Sequence, residues 1–166
     1  YNTAGLVDFP NPGYDREAPC PNLLQILEGA SPATNPPVRV TSRPGRFRGG
    51  VNSFLVGHIV LEQLLADVEG RPFPEIARNR LFRPLGLAGS TFEQPLPADR
   101  WALATTCHAD GAPIPGQWRV YPETAAMGLW TTPSELARLL IEICKSYRWL
   151  SGQFVSQATA LKFASP

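Results

Sequence analysis

A chain of 166 residues with 43% apolar and 17% charged side chains is long enough for one domain with its own core and short for two. That composition belongs to a globular protein rather than a disordered one, and the net charge of +1 supplies no electrostatic reason for a nucleic-acid or anionic-membrane partner, so none is expected. Cys20, Cys107 and Cys144 are odd in number and widely spaced; they fit no zinc or disulfide pattern and are expected as buried free thiols.

In chain order, Tyr1 to Pro21 reads as loop, with turn signals in "FPNPGY". "NLLQILEG" predicts a short helix capped by Asn22, apolar along Leu23, Leu24, Ile26 and Leu27, and stopped by Gly29. "SPATNPPVRVTSRPG" predicts extended chain in which Val38 and Val40 alternate like an edge strand. A long helix is predicted from Phe54 to Val68, with Leu55, Val56, Ile59, Val60 and Leu64 at spacings of three and four; Gly70 and Pro72 end it. A further helix fits Pro74 to Phe82 and breaks at Pro84 and Gly86. "STFEQPLPADRWALATTCHADGAPIPGQWRVYPETAAMG" has no helical period and predicts short strands with a long surface loop. "TTPSELARLLIEICKSY" carries the clearest helix start. Thr132 caps, Pro133 takes the first helical position and Glu135 stands ready to close a capping box. Leu136, Leu139, Leu140 and Ile143 form its expected buried stripe. "SQATALKF" predicts a last short helix. No apolar run approaches the ~20 residues of a membrane span, and there is no basic-then-apolar leader; the compartment stays open.

The stretch "RFRGGVNSFLVGHIVLEQLL" runs from a basic, glycine-bearing loop into the long helix. It is no phosphate cradle, because a P-loop needs a lysine after its second glycine. It is no dinucleotide fingerprint, which needs three glycines. Ser53 lacks the Gly-x-Ser-x-Gly elbow and has Val56 where a lysine three residues on would stand. As a cap, Asn52 or Ser53 serves well, at ~1 kcal/mol. His58 and Glu62 share a helical face, but no further ligand completes a coordination set, so no metal or other cofactor is expected and the pair reads as solvent-facing. His108 with Asp110 reads as a turn. The strip "VYPETAAMGLW" offers Tyr121, Glu123 and Met127 either as a cleft edge that touches substrate or as a rim packed for stability.

Four separated stretches together resemble one family. "NTAGL" is similar to the Ser-His-Thr-Ala/Ser-Gly-Leu turn of the serine β-lactamase and penicillin-binding-protein group, in its class C, D-Ala-D-Ala carboxypeptidase and esterase branch. "PGRFR" resembles the segment that leads to that family's Tyr-Ser-Asn motif. "LFRPLGLAGSTF" resembles its Pro-Leu-Gly-Met segment, and "AAMGLWTTPSELARLL" its Gly-Gly-Leu-x-Ser-Thr helix start. The order is right and the matches span nearly the whole chain. The resemblance implies an α/β serine β-lactamase-like fold and an acyl-serine hydrolase of β-lactams, D-Ala-D-Ala peptides or small esters. The chemistry needs a base to take the proton of a neutral hydroxyl, and fixed donors for the oxyanion that follows.

The sequence departs from that pattern. It contains no Ser-x-x-Lys, Thr159-Ala160-Leu161-Lys162 being the nearest, and no Lys/His-Thr/Ser-Gly. Residues 1–166 are therefore expected to be a partial domain, mainly the helical subdomain and cleft-edge loops, without the nucleophile helix and terminal sheet strands. The Tyr-Ser-Asn position falls on Ser53 counted from the helix and on Gly49 counted from Phe47; neither is a phenol. Asn52 and Ser53 remain the polar candidates for a catalytic role in that corner. Two readings follow. The chain is a segment of a hydrolase whose substrate is a small molecule or peptide, inactive by itself, or it is a degenerate, non-catalytic relative that serves as a binding or scaffold module. Missing strands would leave Leu136, Leu139 and Leu140 uncovered, so exposed apolar surface is expected.

Overall fold

Proline, glycine and capping residues cut the chain into helices joined by long irregular segments. The computed structural model of the chain describes residues 4–7, 9–43, 51–150 and 154–164, with backbone alone at 51–54, 163 and 164. It divides into Tyr1–Pro74 with Phe92–Leu129, and Glu75–Thr91 with Trp130–Pro166.

In the first unit, helix α1 (Leu23–Glu28) starts on a full capping box: Asn22 Oδ1 accepts from Gln25 N, and Gln25 Oε1 accepts from Asn22 N, both at 2.9 Å. Gly29 closes it at φ +64, where a Cβ would sit 2.5 Å from the Pro37 nitrogen, so only glycine turns the chain there. Of the four apolar residues expected on its face, Ile26 is fully buried, Leu23 and Leu27 pack beside it, and Leu24 faces outward. The edge strand expected at Val38–Val40 is reduced to one antiparallel bridge, Leu6 to Val40, with Val7 N donating to Arg39 O and Val38 N to Leu27 O.

Helix α2 (Val51–Glu69) begins three residues earlier than its apolar period predicts. Asn52 and Ser53 therefore lie inside its first turn and are not its cap; their side chains lie outside the described residues. Val56 and Ile59 are fully buried with Phe9 and Ile26 and form the core of this unit. Val60 and Leu64, expected on the same stripe, are exposed. Helix α2 packs on α1 and on the short α4 (Thr124–Met127). The stretch expected to lack helix thus contains α4 and a 3-10 turn at Ala98–Leu103. Both are too short to show a 3.6-residue period. The expected turn at His108 and Asp110 is a two-residue hairpin: strands β1 (His108–Ala109) and β2 (Ala112–Pro113) pair antiparallel around Asp110 and Gly111, both at positive φ.

Helix α3 (Phe73–Ala77) runs into a π-helical turn, Arg78–Phe82, closed by Gly86 at φ +64. In the second unit an antiparallel bridge joins Thr91 to Trp130, and α5 (Pro133–Tyr147) packs on α6 (Gln157–Ala164). Thr132 Oγ1 accepts from Glu135 N at 3.2 Å, as the sequence predicts. The return half of the capping box is absent. Glu135 instead accepts from Gly89 N at 2.8 Å and from Ser90 Oγ at 2.5 Å. The buried stripe expected on α5 is open as well: Leu136 and Leu140 are exposed, and Leu139 and Ile143 are half-buried. All three cysteines are free and exposed, against the expectation of burial. Among the described residues no other strands pair, so the chain is helix-rich with little sheet.

Candidate functional site

The residues singled out from the sequence fall on two elements of the first unit, α2 and the strip that runs through α4. Backbone amides of the first turn of α2, at Asn52 and Ser53, have no partner inside the helix by geometry alone. Their side chains lie outside the described residues.

The strip is built more fully. Tyr14 and Val120 exchange two backbone hydrogen bonds of 2.8 Å, which fixes the chain entering it. Tyr121 follows, half-buried, its ring lying on Gly13, where a Cβ would meet the ring carbons at 2.8 Å. Burial pushes its phenol up from the ordinary value. Arg119, which flanks Gly13 beside Tyr121, forms an ion pair with Asp15. Beside it Arg16 lies over the rings of both Trp101 and Trp118, at 4.0 and 4.5 Å, and donates to Gly116 O at 3.0 Å. A guanidinium so stacked is held in place rather than presented to a ligand.

Glu123 and Met127, expected at the same edge, part company. Met127 is exposed, at 40%, whereas Glu123 is 1% exposed. The Glu123 carboxylate is turned into the unit. Burial raises its carboxyl above the ordinary 4.5, and its own backbone and the neighbouring Asn11 amide oppose that rise. In the strip Tyr121 is half-buried and Met127 exposed, while Glu123 is packed inside the unit.

Glu62 was expected to face solvent with His58. It is 4% exposed instead. Thr124 Oγ1 donates to Glu62 Oε1 at 2.5 Å, and Ala125 N donates to Oε2 at 2.8 Å. Burial raises its carboxyl; those hydrogen bonds oppose the rise, and the Glu123 charge adds to it. The sequence signal was available: an acid three residues after Ile59 and six after Val56, on the face those two bury. Local reading favoured the His58 pair because helical neighbours are visible in sequence and α4 is not. Among the described residues no group of three or more His, Cys, Asp or Glu could hold a metal ion, and no helix is long and apolar enough to cross a membrane.

Compared with known proteins, residues 4–166 match the family model described as Beta-lactamase. No curated protein sequence matches the chain. Among solved structures it is similar to D-amino acid amidase from Ochrobactrum anthropi SV3 complexed with D-phenylalanine, with TM-score 0.64 and 19% identity over 96% of this chain and 45% of that one. It is similar to a penicillin-binding protein from Bacillus halodurans, with TM-score 0.63 and 18% identity over 99% and 48%. A β-lactamase/D-alanine carboxypeptidase from Pseudomonas syringae gives TM-score 0.52 and 24% identity over 86% and 35%. At such identities the likeness is one of fold. The chain spans less than half the length of each.

Proposed function

The chain belongs to the Beta-lactamase family, and from that premise we propose that it is the middle segment of a serine hydrolase acting on amide or ester bonds through an acyl-serine intermediate. β-Lactams, D-Ala-D-Ala peptides and small esters are the substrate classes, and the nucleophile is supplied from outside residues 1–166. The observation that carries this reading is a conjunction: the family model matches residues 4–166, yet the sequence holds no Ser-x-x-Lys and no Lys/His-Thr/Ser-Gly.

An unactivated hydroxyl attacks a carbonyl poorly, so a neighbouring base must accept its proton while fixed donors hold the oxyanion. The only lysines here, Lys145 and Lys162, stand beside no serine in that motif. In the proposed division of labour, this chain contributes the helical side of the site. Tyr121 and Met127 line the substrate edge, Glu123 supports that edge from within, and Asn52 and Ser53 occupy the corner at the start of α2 where they assist proton movement. A second reading, a non-catalytic relative that binds or scaffolds, is favoured by one observation: neither Gly49 nor Ser53 offers a phenol at the position of the family's tyrosine.

The test treats two proteins with penicillin or a fluorophosphonate and weighs them: the 166-residue chain, and a longer polypeptide from the same gene that adds the flanking coding sequence. One adduct per longer chain and none on the 166 residues is the expected result. A stoichiometric adduct mapped to a serine of this chain overturns the division of labour. A longer polypeptide with no Ser-x-x-Lys and no adduct establishes the scaffold reading instead.

A further inference from the structure

Helix α4 is four residues long, and its own N-cap residue, Glu123, makes no capping hydrogen bond to it. Ala126 N and Met127 N donate to Glu123 O, which leaves the Thr124 and Ala125 amides with no carbonyl acceptor within the turn, and four residues fall far below the length at which helix is stable by itself. Something else must hold it. The cap comes from α2: Glu62, nearly fully buried, accepts from the Thr124 hydroxyl with one oxygen and from the Ala125 amide with the other. Use of both oxygens as acceptors is the pattern of an ionised carboxylate, and such charge-assisted bonds are stronger and more directional than neutral ones. The far end of α4 is held equally closely. Gly128 N donates to Thr124 O at 2.8 Å, and a Cβ at Gly128 would stand 2.7 Å from Thr124 Cα.

We propose that Glu62 is a positioning residue: from the middle of α2 it caps α4 across the unit and so sets the orientation of Tyr121 and Met127 at the substrate edge. The inference rests on the functional reading above for what that edge faces, and on the geometry alone for what holds it. The substrate-side residues flank the capped turn directly, Tyr121 three residues before Thr124 and Met127 three after it. A change at Glu62 therefore reaches them without touching any ligand. The ionisable groups around this anchor are Glu123 beside it, Cys20 and Tyr121 around Glu123, and His58 one turn earlier on α2.

The experiment follows the Ala125 amide by NMR in the chain and in Glu62→Gln, recording both its hydrogen exchange and its chemical shift against pH. In the unaltered chain the shift is expected to titrate with a midpoint above the ordinary carboxylate value of 4.5. In Glu62→Gln that titration disappears, and exchange at Ala125 quickens roughly 10- to 100-fold, while amides of α1 and α5 keep their rates. Thr124→Val removes one donor without touching α2, so it serves where Glu62→Gln fails to fold. Its expected signature is a higher titration midpoint at Ala125, because the ionised form has lost a hydrogen bond. An Ala125 amide that does not titrate in the unaltered chain, or that keeps its exchange rate in Glu62→Gln, overturns the cap. In the longer polypeptide, Glu62→Gln is expected to raise KM with kcat little changed; an unchanged KM overturns the positioning role. If that polypeptide turns over no substrate, the functional reading fails while the amide result stands.

Discussion

Glu123 is the residue whose surroundings work against it most. Its side chain is 1% exposed, one carboxylate oxygen has no hydrogen-bond partner, and Glu62 is its neighbour in charge. Both carboxyls sit above their ordinary 4.5 in the folded chain, burial being the main cause for each. The folded state therefore holds these protons more tightly than the unfolded one. The stability that comes with them is whole below about pH 4.5 and declines as pH rises through the folded-state values. Glu123→Gln removes the buried charge while it keeps the shape. It is expected to stabilise the chain at neutral pH by on the order of 1 kcal/mol, roughly 2–4 °C in Tm, and to flatten the pH dependence. Thermal melts across the acid-to-neutral range check this; a lower Tm for the variant at neutral pH contradicts it. The burial of Glu62 was legible only in its place three residues after Ile59, and that of Glu123 was not legible. In sequence each has an innocent neighbour, His58 for Glu62 and Tyr121 for Glu123, and nothing local says that α4 will form between them and close over both.

At the scale of elements, most helix ends follow from chemistry local to the sequence, and helix partners do not. Asn22, Gly29, Thr132, Pro133 and Gly70 mark ends by chemistry that acts within four residues, and the structure uses each where expected. Glu135 shows where that logic stops. Its spacing from Thr132 spells a capping box, but a carboxylate takes the best donors in reach, and Gly89 N and Ser90 Oγ lie closer to hand than its own cap. The result is a clasp between α5 and the segment before Thr91. Glu135→Ala removes two hydrogen bonds to a carboxylate, although Ser90 Oγ keeps Thr131 Oγ1 as a partner, and the expected loss is about 1.5–3 kcal/mol. Thr132→Ala forfeits a single cap, about 1 kcal/mol. Equal losses in urea melts of the two variants count against the clasp. The start of α2 was misplaced for a related reason: an apolar period marks the face a helix buries, not the turn by which it begins, and that turn precedes the first apolar position of the stripe.

For the molecule as a whole, the family was legible because four motifs in register carry it, and the helix-rich character followed from proline, glycine and apolar spacing. The uncovered apolar surface expected on α5 is present, at Leu136 and Leu140 though not at the half-buried Leu139. Val68 is 73% exposed on α2, and Leu136, Leu140 and Ile141 are exposed on α5. Surface of this kind is expected to bind a hydrophobic dye at neutral pH and to leave the isolated chain with a shallow, marginal unfolding transition. A sharp cooperative melt with little dye binding contradicts this. One consequence lies in the thiols. Cys20 and Cys107 belong to the first unit, whereas Cys144, exposed on α5, is the sole cysteine of the second. With Cys20 and Cys107 changed to serine, a maleimide spin label therefore attaches to one unit only, and the mobility of α5 can be followed while the other half of the chain stays silent.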